Sequence, residues 1–125
     1  MSLRIALIGN AMSTMVRYRG PFITTLRERG FEIVAICPNG TEAEKKALST
    51  LGAQHVTVNK MSRHGLAPHS ELALLKELTD ILRKVSPDCV LSYFLKPAIW
   101  GSIAAKRAGV PRISAMIEGM GFAFS

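Results

Sequence analysis

Cysteine is scarce in this sequence, with Cys37 and Cys89 the only two among 125 residues and no CxxC pair. Two separated thiols make no disulfide framework, so we expect two buried, reduced cysteines in a cytoplasmic protein. No run of about 18 apolar residues occurs, which excludes a membrane-spanning helix. The N-terminus also lacks the long apolar stretch of a secretory signal.

Several ligand-binding motifs are missing as well. The loop that begins Gly9-Asn10 lacks GxGxxG, and no acid follows the second predicted strand where it would hold a ribose, which disfavours NAD. The motifs GxxxxGK[ST], GxSxG and HExxH do not occur. The histidines His55, His64 and His69 do not form a metal-ligand set. We therefore predict neither a metal nor a cofactor.

Negative charge is under-represented, since 9 acidic residues face 16 Lys and Arg for a net charge of +7. Such an excess suits an anionic partner such as a phosphate, a nucleic acid or an acidic membrane surface, although many basic domains have no special partner. The basic residues form no Arg-rich tail and do not alternate with aromatic residues, which argues against nucleic acid. The length and the hydrophobic fraction of 48% fit one globular domain.

Five short apolar segments alternate with four helical patterns. The segments are 4–8, 31–37, 54–58, 88–92 and 112–117, and the helices begin between Val16 and Pro21, at the capping box of Thr41, at Ser70 and at Pro97. This alternation predicts a doubly wound, Rossmann-like α/β domain with a parallel sheet in the strand order 3-2-1-4-5.

Ligands of such a sheet bind at the edge where the strands end, at the point where the strand order reverses. That point lies between the first and fourth strands, so the loops 9–15 and 92–97 are the candidate site, with 118–121 and the basic loop 59–69 on the same edge. Gly9 and Asn10 are therefore candidate substrate-binding residues. We expect Asn10, Lys96 and Gly119 to cluster there.

Three cations of these segments suit an anion. Arg19 lies near the start of the first helix, where a phosphate is favoured, and Arg63 lies in the polar loop. For both, a solvated surface arginine is the alternative. Lys96 precedes Pro97 and is predicted at the N-cap of the fourth helix, where a side chain that cannot accept a hydrogen bond is unusual.

The last segment carries a carboxylate between an apolar strand and two glycines. Glu118 could accept a proton or bind sugar hydroxyls, or it could pair with a nearby Lys or Arg. Gly119 and Gly121 would let the backbone approach a ligand closely.

In their order and spacing, these motifs resemble the N-terminal, acceptor-side domain of retaining GT-B glycosyltransferases of family 4. The resemblance covers nearly all of the chain. It rests on RIALIG at 4–9, YRGPFI at 18–23, MSRHGLAP at 61–68, SYFLKP at 92–97, AGVP at 108–111 and EGMG at 118–121.

The most similar subgroup transfers a hexose or an amino sugar to a sugar carried on undecaprenyl diphosphate, in bacterial polysaccharide and lipopolysaccharide biosynthesis. The resemblance implies that residues 1–125 hold this acceptor and that Glu118, where members carry Glu or Thr, is the candidate catalytic residue. It also implies that the UDP-sugar donor binds mostly in a second domain, whose Glu-x₇-Glu motif does not occur here.

The expected protein is therefore a fragment of a two-domain enzyme, inactive by itself, that lacks the donor domain and the C-terminal part of its own domain. It would work on the cytoplasmic, inner face of the plasma membrane, held peripherally by anionic lipids. The alternative is a stand-alone phosphate- or nucleotide-binding module without transferase activity.

Overall fold

The computed structural model describes residues 3–61, 68–93 and 95–116. Five strands and four helices alternate along them: β1 (Arg4–Ile8), α1 (Met12–Glu28), β2 (Glu32–Cys37), α2 (Glu42–Thr50), β3 (Ala53–Thr57), α3 (Pro68–Val85), β4 (Cys89–Tyr93), α4 (Leu95–Ala108) and β5 (Arg112–Met116). All strand pairs are parallel, in the order β3-β2-β1-β4-β5. The predicted fold class and strand order are confirmed.

The sheet separates two apolar layers, because successive side chains of a strand point to opposite faces. On one face, Ala6 and Ile8 of β1 pack with α3 and α4. On the other, Leu7 packs with Met12 and Met15 of α1 and with α2. The helices thus bury apolar side chains against both faces of the sheet.

The first helix begins earlier than predicted. It starts at Met12, after Ala11 in an extended conformation (φ −160°, ψ 143°), so Pro21 lies inside the helix and not in its first turn. Arg19 is the eighth residue of α1, so the prediction that it lies near the helix start is wrong. Proline removes one hydrogen bond of the helix, but Pro21 is exposed, where water can reach the freed carbonyl group. Burial of Met12, Met15 and Ile23 against the sheet outweighs this local preference.

The predicted start of α2 and the predicted ends of α1 and α2 are confirmed, whereas α3 begins at Pro68, two residues before the predicted cap Ser70. The Thr41 hydroxyl accepts a hydrogen bond from Glu44 N–H at 3.1 Å, and Glu44 Oε1 accepts one from Thr41 N–H at 2.9 Å, which is the predicted capping box. Gly30 follows α1 with φ 92°, and Gly52 follows α2 with φ 90°, the left-handed conformation that glycine allows.

The fourth helix begins at Leu95, two residues before the predicted start. Lys96 is therefore in its first turn and not at its N-cap, and the cap argument for Lys96 is wrong. Pro97 lies in the same turn, where its missing N–H is no loss. In the described ranges, no helix is long and apolar enough to cross a membrane.

Candidate functional site

The loops after β1 and β4 lie side by side at the edge where the strands end, which we call the carboxyl edge. Ile8 pairs with Ser92, so these two strands finish at the same level. The chain leaves β1 towards β2 on one side, while β4 and β5 continue the sheet on the other. This is the reversal point at which open α/β sheets bind ligands.

The loop after β1 is held tightly against the sheet and the first helix. Gly9 N–H donates to the carbonyl group of Ile36 at 3.0 Å, which extends the ladder beyond β1. A Cβ atom on Gly9 would lie 3.0 Å from Met15 Cε, so a larger residue would require the end of the Met15 side chain to shift. Gly9 thus allows the Met15 side chain to pack directly on the loop.

Asn10 and the start of α1 border an open cavity of about 270 Å³ at this edge. Its wall consists of Asn10, Ala11, Met12, Ser13, Pro38, Asn39, Gly40, Glu44 and Met61, and we call it the polar cleft. Asn10 Oδ1 is shielded from solvent and has no hydrogen-bond partner among the residues with described positions. Ala11 gives α1 no side-chain cap, and its first turn has no acid.

The cleft therefore offers amide and hydroxyl groups, together with the Glu44 carboxylate that caps α2. Such a lining suits a ligand rich in hydroxyl groups better than an isolated phosphate, because the Glu44 charge repels anions.

A cation lies on the other side of Gly9. The guanidinium carbon of Arg19 sits 3.9 Å from the centroid of the Tyr93 ring, within the range of a cation–π contact. The two side chains close a crevice, here called the Arg19 crevice, which leaves no space for a water molecule. Its wall consists of Gly9, Thr14, Met15, Tyr18, Arg19 and Tyr93.

Tyr93 is the last residue of β4 and is only 2% exposed. Burial raises the pKa of its phenol to about 12, although the Arg19 charge acts in the opposite direction. The phenol is therefore neutral at physiological pH and cannot act as a base there. Its contribution is the face of its ring, which lies 3.9 Å from the Arg19 guanidinium carbon.

The fourth helix packs unusually close to β4. A Cβ atom on Gly101 would lie 2.6 Å from Ser92 Oγ and 3.1 Å from Ile8 Cδ1. Ser92 is fully buried, and its hydroxyl has no hydrogen-bond partner within the described residues. The glycine thus brings the backbone of α4 against the strand ends.

The start of the basic loop 59–69 is held by hydrogen bonds to α3. Asn59 N–H and Lys60 N–H donate to the carboxylate of Glu77 in α3, at 2.9 and 2.8 Å. Met61, the last described residue before the loop, lines the polar cleft. Arg63, in the predicted site, lies outside the described residues.

The structure thus brings together Gly9, Asn10 and Arg19 of the predicted site at the carboxyl edge, with the backbone of Lys96 after the adjacent strand. Glu118, Gly119 and Gly121 lie outside the described residues, so their assignment stays a prediction. Sequence reasoning missed Tyr93 as the partner of Arg19. A polar aromatic residue at a strand end, in SYFLKP, was the available signal.

Metal ligands do not gather in the ranges that the structure describes, where no group of three His, Cys, Asp or Glu residues could hold an ion. His55 lies in β3, with its Nε2 at 3.0 Å from the carbonyl oxygen of Cys37. The imidazole of His55 thus contacts the backbone of the neighbouring strand β2.

Comparison with known proteins agrees with this geometry. The family described as glycosyl transferase 4-like matches residues 4–125, which include every element of the sheet and the whole candidate site. The chain belongs to this family. The family match confirms the resemblance expected from the motifs.

One glycosyl transferase 4-like relative is the N,N'-diacetylbacillosaminyl-diphospho-undecaprenol α-1,3-N-acetylgalactosaminyltransferase of Campylobacter jejuni. It is 31% identical over 119 residues, which are 95% of this chain and 31% of the relative. The chain therefore spans about a third of the length of this relative.

Solved structures share the fold at lower identity. MurG of Acinetobacter baumannii superposes with a TM-score of 0.67 at 15% identity, over 90% of this chain and 35% of MurG. A UDP-N-acetylglucosamine 2-epimerase has the same TM-score at 12% identity, over 92% of this chain and 32% of the epimerase. MurG and the epimerase fit equally well at 15% and 12% identity, so these likenesses show the fold alone.

Proposed function

We propose that this chain is the acceptor-binding domain of a retaining glycosyltransferase that extends a lipid-linked glycan. The donor would be a UDP-sugar carrying a hexose or an N-acetylhexosamine, and the acceptor a sugar on undecaprenyl diphosphate. The observation that carries this proposal is the 31% identity to the Campylobacter transferase over 95% of the chain. That alignment includes the strands and helices that build the carboxyl edge.

The two halves of the site suit the two halves of such an acceptor. The polar cleft presents Asn10 and the uncapped start of α1, which suits sugar hydroxyl groups. Arg19, held on Tyr93, suits a diphosphate through its positive charge, since hydrogen bonds from charged donors to phosphate oxygens are strong. Arg63 would add a second charge for the diphosphate, and Lys96 would face the sugar or the donor side. Glu118 is the candidate catalytic residue.

Residues 1–125 would then be the N-terminal, acceptor side of a larger enzyme. The second domain would supply most of the UDP-sugar site, and the product would keep the anomeric configuration of the donor. The protein would work at the inner face of the plasma membrane, in polysaccharide biosynthesis. The family match favours this function over a stand-alone nucleotide-binding module.

Kinetics with the full-length protein test the site assignment. Arg19→Gln should raise KM for an undecaprenyl-diphosphate-linked acceptor about ten- to hundred-fold, because a charge-assisted hydrogen bond contributes about 1.5–3 kcal/mol. KM for the UDP-sugar should stay unchanged. Arg29→Gln, an exposed charge at the far end of α1, is the matched control. Equal KM values for Arg19→Gln and wild type would remove Arg19 from the site.

Activity itself is tested with a panel of UDP-sugars and the lipid-linked acceptor, and NMR of the product gives its anomeric configuration. No transfer from any UDP-sugar would contradict the proposed reaction. Inversion at the anomeric carbon would contradict retention alone.

A further inference from the structure

We propose that one exposed face of α1 docks this protein on an anionic lipid bilayer and thereby brings Arg19 to the level of the lipid diphosphate. The inference rests on the proposed function, because a lipid-linked acceptor requires a membrane. The docking surface consists of Arg17, Tyr18, Pro21 and Phe22, all exposed, and we call it the aromatic face of α1.

Two aromatic rings make this face suited to a bilayer surface. Tyr18 is 60% exposed and Phe22 is 40% exposed, and they lie one turn apart on the same side of the helix. Aromatic side chains concentrate at the level of lipid headgroups, where an apolar ring and a polar tip are both accommodated. Helices that lie on membranes combine such rings with basic residues.

The charge of α1 selects an anionic surface. The helix carries Arg17, Arg19 and Arg27, and its only acid is Glu28, the last of its 17 residues. Before Glu28, α1 therefore has no carboxylate of its own that would repel an anionic partner from the aromatic face. Anionic headgroups complement that charge, and the chain as a whole adds a net charge of +7.

The aromatic face is also continuous with the candidate site. Tyr18 lines the Arg19 crevice together with Arg19 and Tyr93. The aromatic face therefore adjoins Arg19, the residue that we propose binds the diphosphate. The diphosphate of a lipid-linked sugar lies at the headgroup level of the membrane. Docking through Tyr18 and Phe22 would place Arg19 at that same level.

A second exposed pair provides a matched control on the opposite side of the sheet. Ile99 and Ile103 of α4 are 46% and 41% exposed and also lie one turn apart, near the basic residues Lys106 and Arg107. They are aliphatic, and neither lines the Arg19 crevice. General apolar exposure would make both pairs bind lipid, whereas a dedicated docking surface requires only the α1 pair.

Sedimentation of the full-length protein with lipid vesicles tests the proposal. Vesicles of phosphatidylcholine with added phosphatidylglycerol, and without any glycolipid, are the probe. Tyr18→Ser/Phe22→Ser should lower partitioning about tenfold or more, because membrane binding grows with buried apolar area. Arg17→Gln should lower it about fivefold, which corresponds to about 1 kcal/mol per basic residue at an anionic surface. Ile99→Ser/Ile103→Ser should bind as wild type.

Three outcomes would overturn the proposal. They are wild-type binding of the α1 double variant, an equal loss in the α4 double variant, and equal binding to vesicles with and without phosphatidylglycerol. Circular dichroism and thermal melting of each variant show whether a loss of binding reflects loss of fold.

A fluorescence reporter tests the same point without weakening the surface. Residues 1–125 contain one tryptophan, Trp100 on α4, so Trp100→Phe, together with replacement of any tryptophan elsewhere in the full-length protein, removes the tryptophan emission. In that background Phe22→Trp should shift to shorter emission wavelengths with anionic vesicles and be quenched by brominated lipids. Ile103→Trp should respond to neither, and a response equal to that of Phe22→Trp would contradict docking through α1.

The vesicle experiments contain no acceptor and no donor, so their result does not depend on sugar transfer. A protein that binds anionic vesicles through α1 but transfers no sugar would keep this surface and lose the proposed function. A protein that transfers sugar to a water-soluble acceptor but does not bind vesicles would support the proposed function and contradict the docking surface.

Discussion

Tyr93 links the end of a central strand to the cation that we place on the acceptor diphosphate. Its ring lies 3.9 Å below the guanidinium carbon of Arg19, and its own burial keeps the phenol neutral. A long arginine side chain otherwise loses about 2 kcal/mol of rotamer freedom when it is fixed. Because Tyr93 already restrains the Arg19 side chain, less rotamer entropy is lost when a ligand binds to it.

Replacing the ring should therefore impair acceptor binding more than turnover. Tyr93→Leu should raise KM for the acceptor about three- to thirty-fold, since a cation–π contact contributes about 0.5–2 kcal/mol. Tyr93→Phe keeps the ring and should behave as wild type, with kcat and the UDP-sugar KM unchanged in both variants. Steady-state kinetics of the full-length protein provide the test, and equal damage by Phe and Leu would assign the role to the hydroxyl group.

Cys37 makes stability depend on alkaline pH. Burial, and secondarily the Glu44 charge, raises its pKa from 9.0 to about 12. Below about pH 9 the thiol is protonated in both states, so the stability is fully present. Above pH 9 only the unfolded chain loses the proton, so the free energy of unfolding should fall by about 1.4 kcal/mol per pH unit until the folded pKa is reached.

Urea unfolding at several pH values measures this slope. Cys37→Ala should flatten it between about pH 9 and pH 10, whatever its effect on stability at neutral pH. Cys89→Ala is the comparison variant and should flatten the slope less than Cys37→Ala, because the Arg112 charge opposes the rise that burial gives to the pKa of Cys89. An unchanged slope in Cys37→Ala would show that other groups govern the alkaline limit.

At the level of helices and strands, alanine substitutions of two helical glycines should change the free energy of unfolding in opposite directions. Gly101 of α4 touches β4 so closely that a Cβ atom would overlap Ser92 Oγ at 2.6 Å. At Gly20 of α1 the nearest atom to such a Cβ would be Leu51 Cδ1 at 3.7 Å, an ordinary contact. The same substitution therefore meets a clash in one helix and open packing in the other.

Gly20→Ala should raise the free energy of unfolding by up to about 1 kcal/mol, because alanine favours a helix interior. Gly101→Ala should lower it by about 1–3 kcal/mol through overpacking. Adding Ser92→Ala should recover much of that loss, since it removes the overlapping oxygen. Chemical denaturation of the four variants, with Ser92→Ala alone as reference, completes the cycle. Additive effects of Gly101→Ala and Ser92→Ala would disprove the contact.

Helix ends were predicted correctly where a capping residue or a glycine determines them locally. The Thr41 capping box and the stops at Gly30 and Gly52 appear as predicted, because these residues satisfy or terminate helices by themselves. The strand order followed from the alternation of elements. No tertiary information was needed for either.

The same reasoning failed where packing overrides a local preference. Pro21 marks a first turn by propensity, yet α1 begins at Met12, because Met12 and Met15 are buried against the sheet. Lys96 was predicted at the N-cap of α4 because Pro97 follows it, whereas the helix begins at Leu95. Tyr93 could not be paired with Arg19 from sequence, since the contact joins residues 74 positions apart.

Considered as a whole molecule, the chain concentrates its recognisable chemistry at one edge of a basic domain. The polar cleft, the Arg19 crevice and the aromatic face of α1 adjoin one another around the start of α1. An acceptor with a sugar, a diphosphate and a lipid presents the same three chemistries in one line.

The division between acceptor and donor then gives a prediction for residues 1–125 expressed alone. They should bind a short-chain, lipid-linked diphosphate sugar in calorimetric titration, while UDP-sugars bind more weakly than about 1 mM and no sugar is transferred. The physical reason is that Arg19 and Asn10 lie at the carboxyl edge, where we propose the acceptor binds, whereas the Glu-x₇-Glu motif expected of a donor site does not occur in this sequence. Arg19→Gln should weaken the diphosphate sugar about tenfold or more, and Arg29→Gln should not. Tight binding of a UDP-sugar to this chain would reverse the assignment and make the carboxyl edge a nucleotide site.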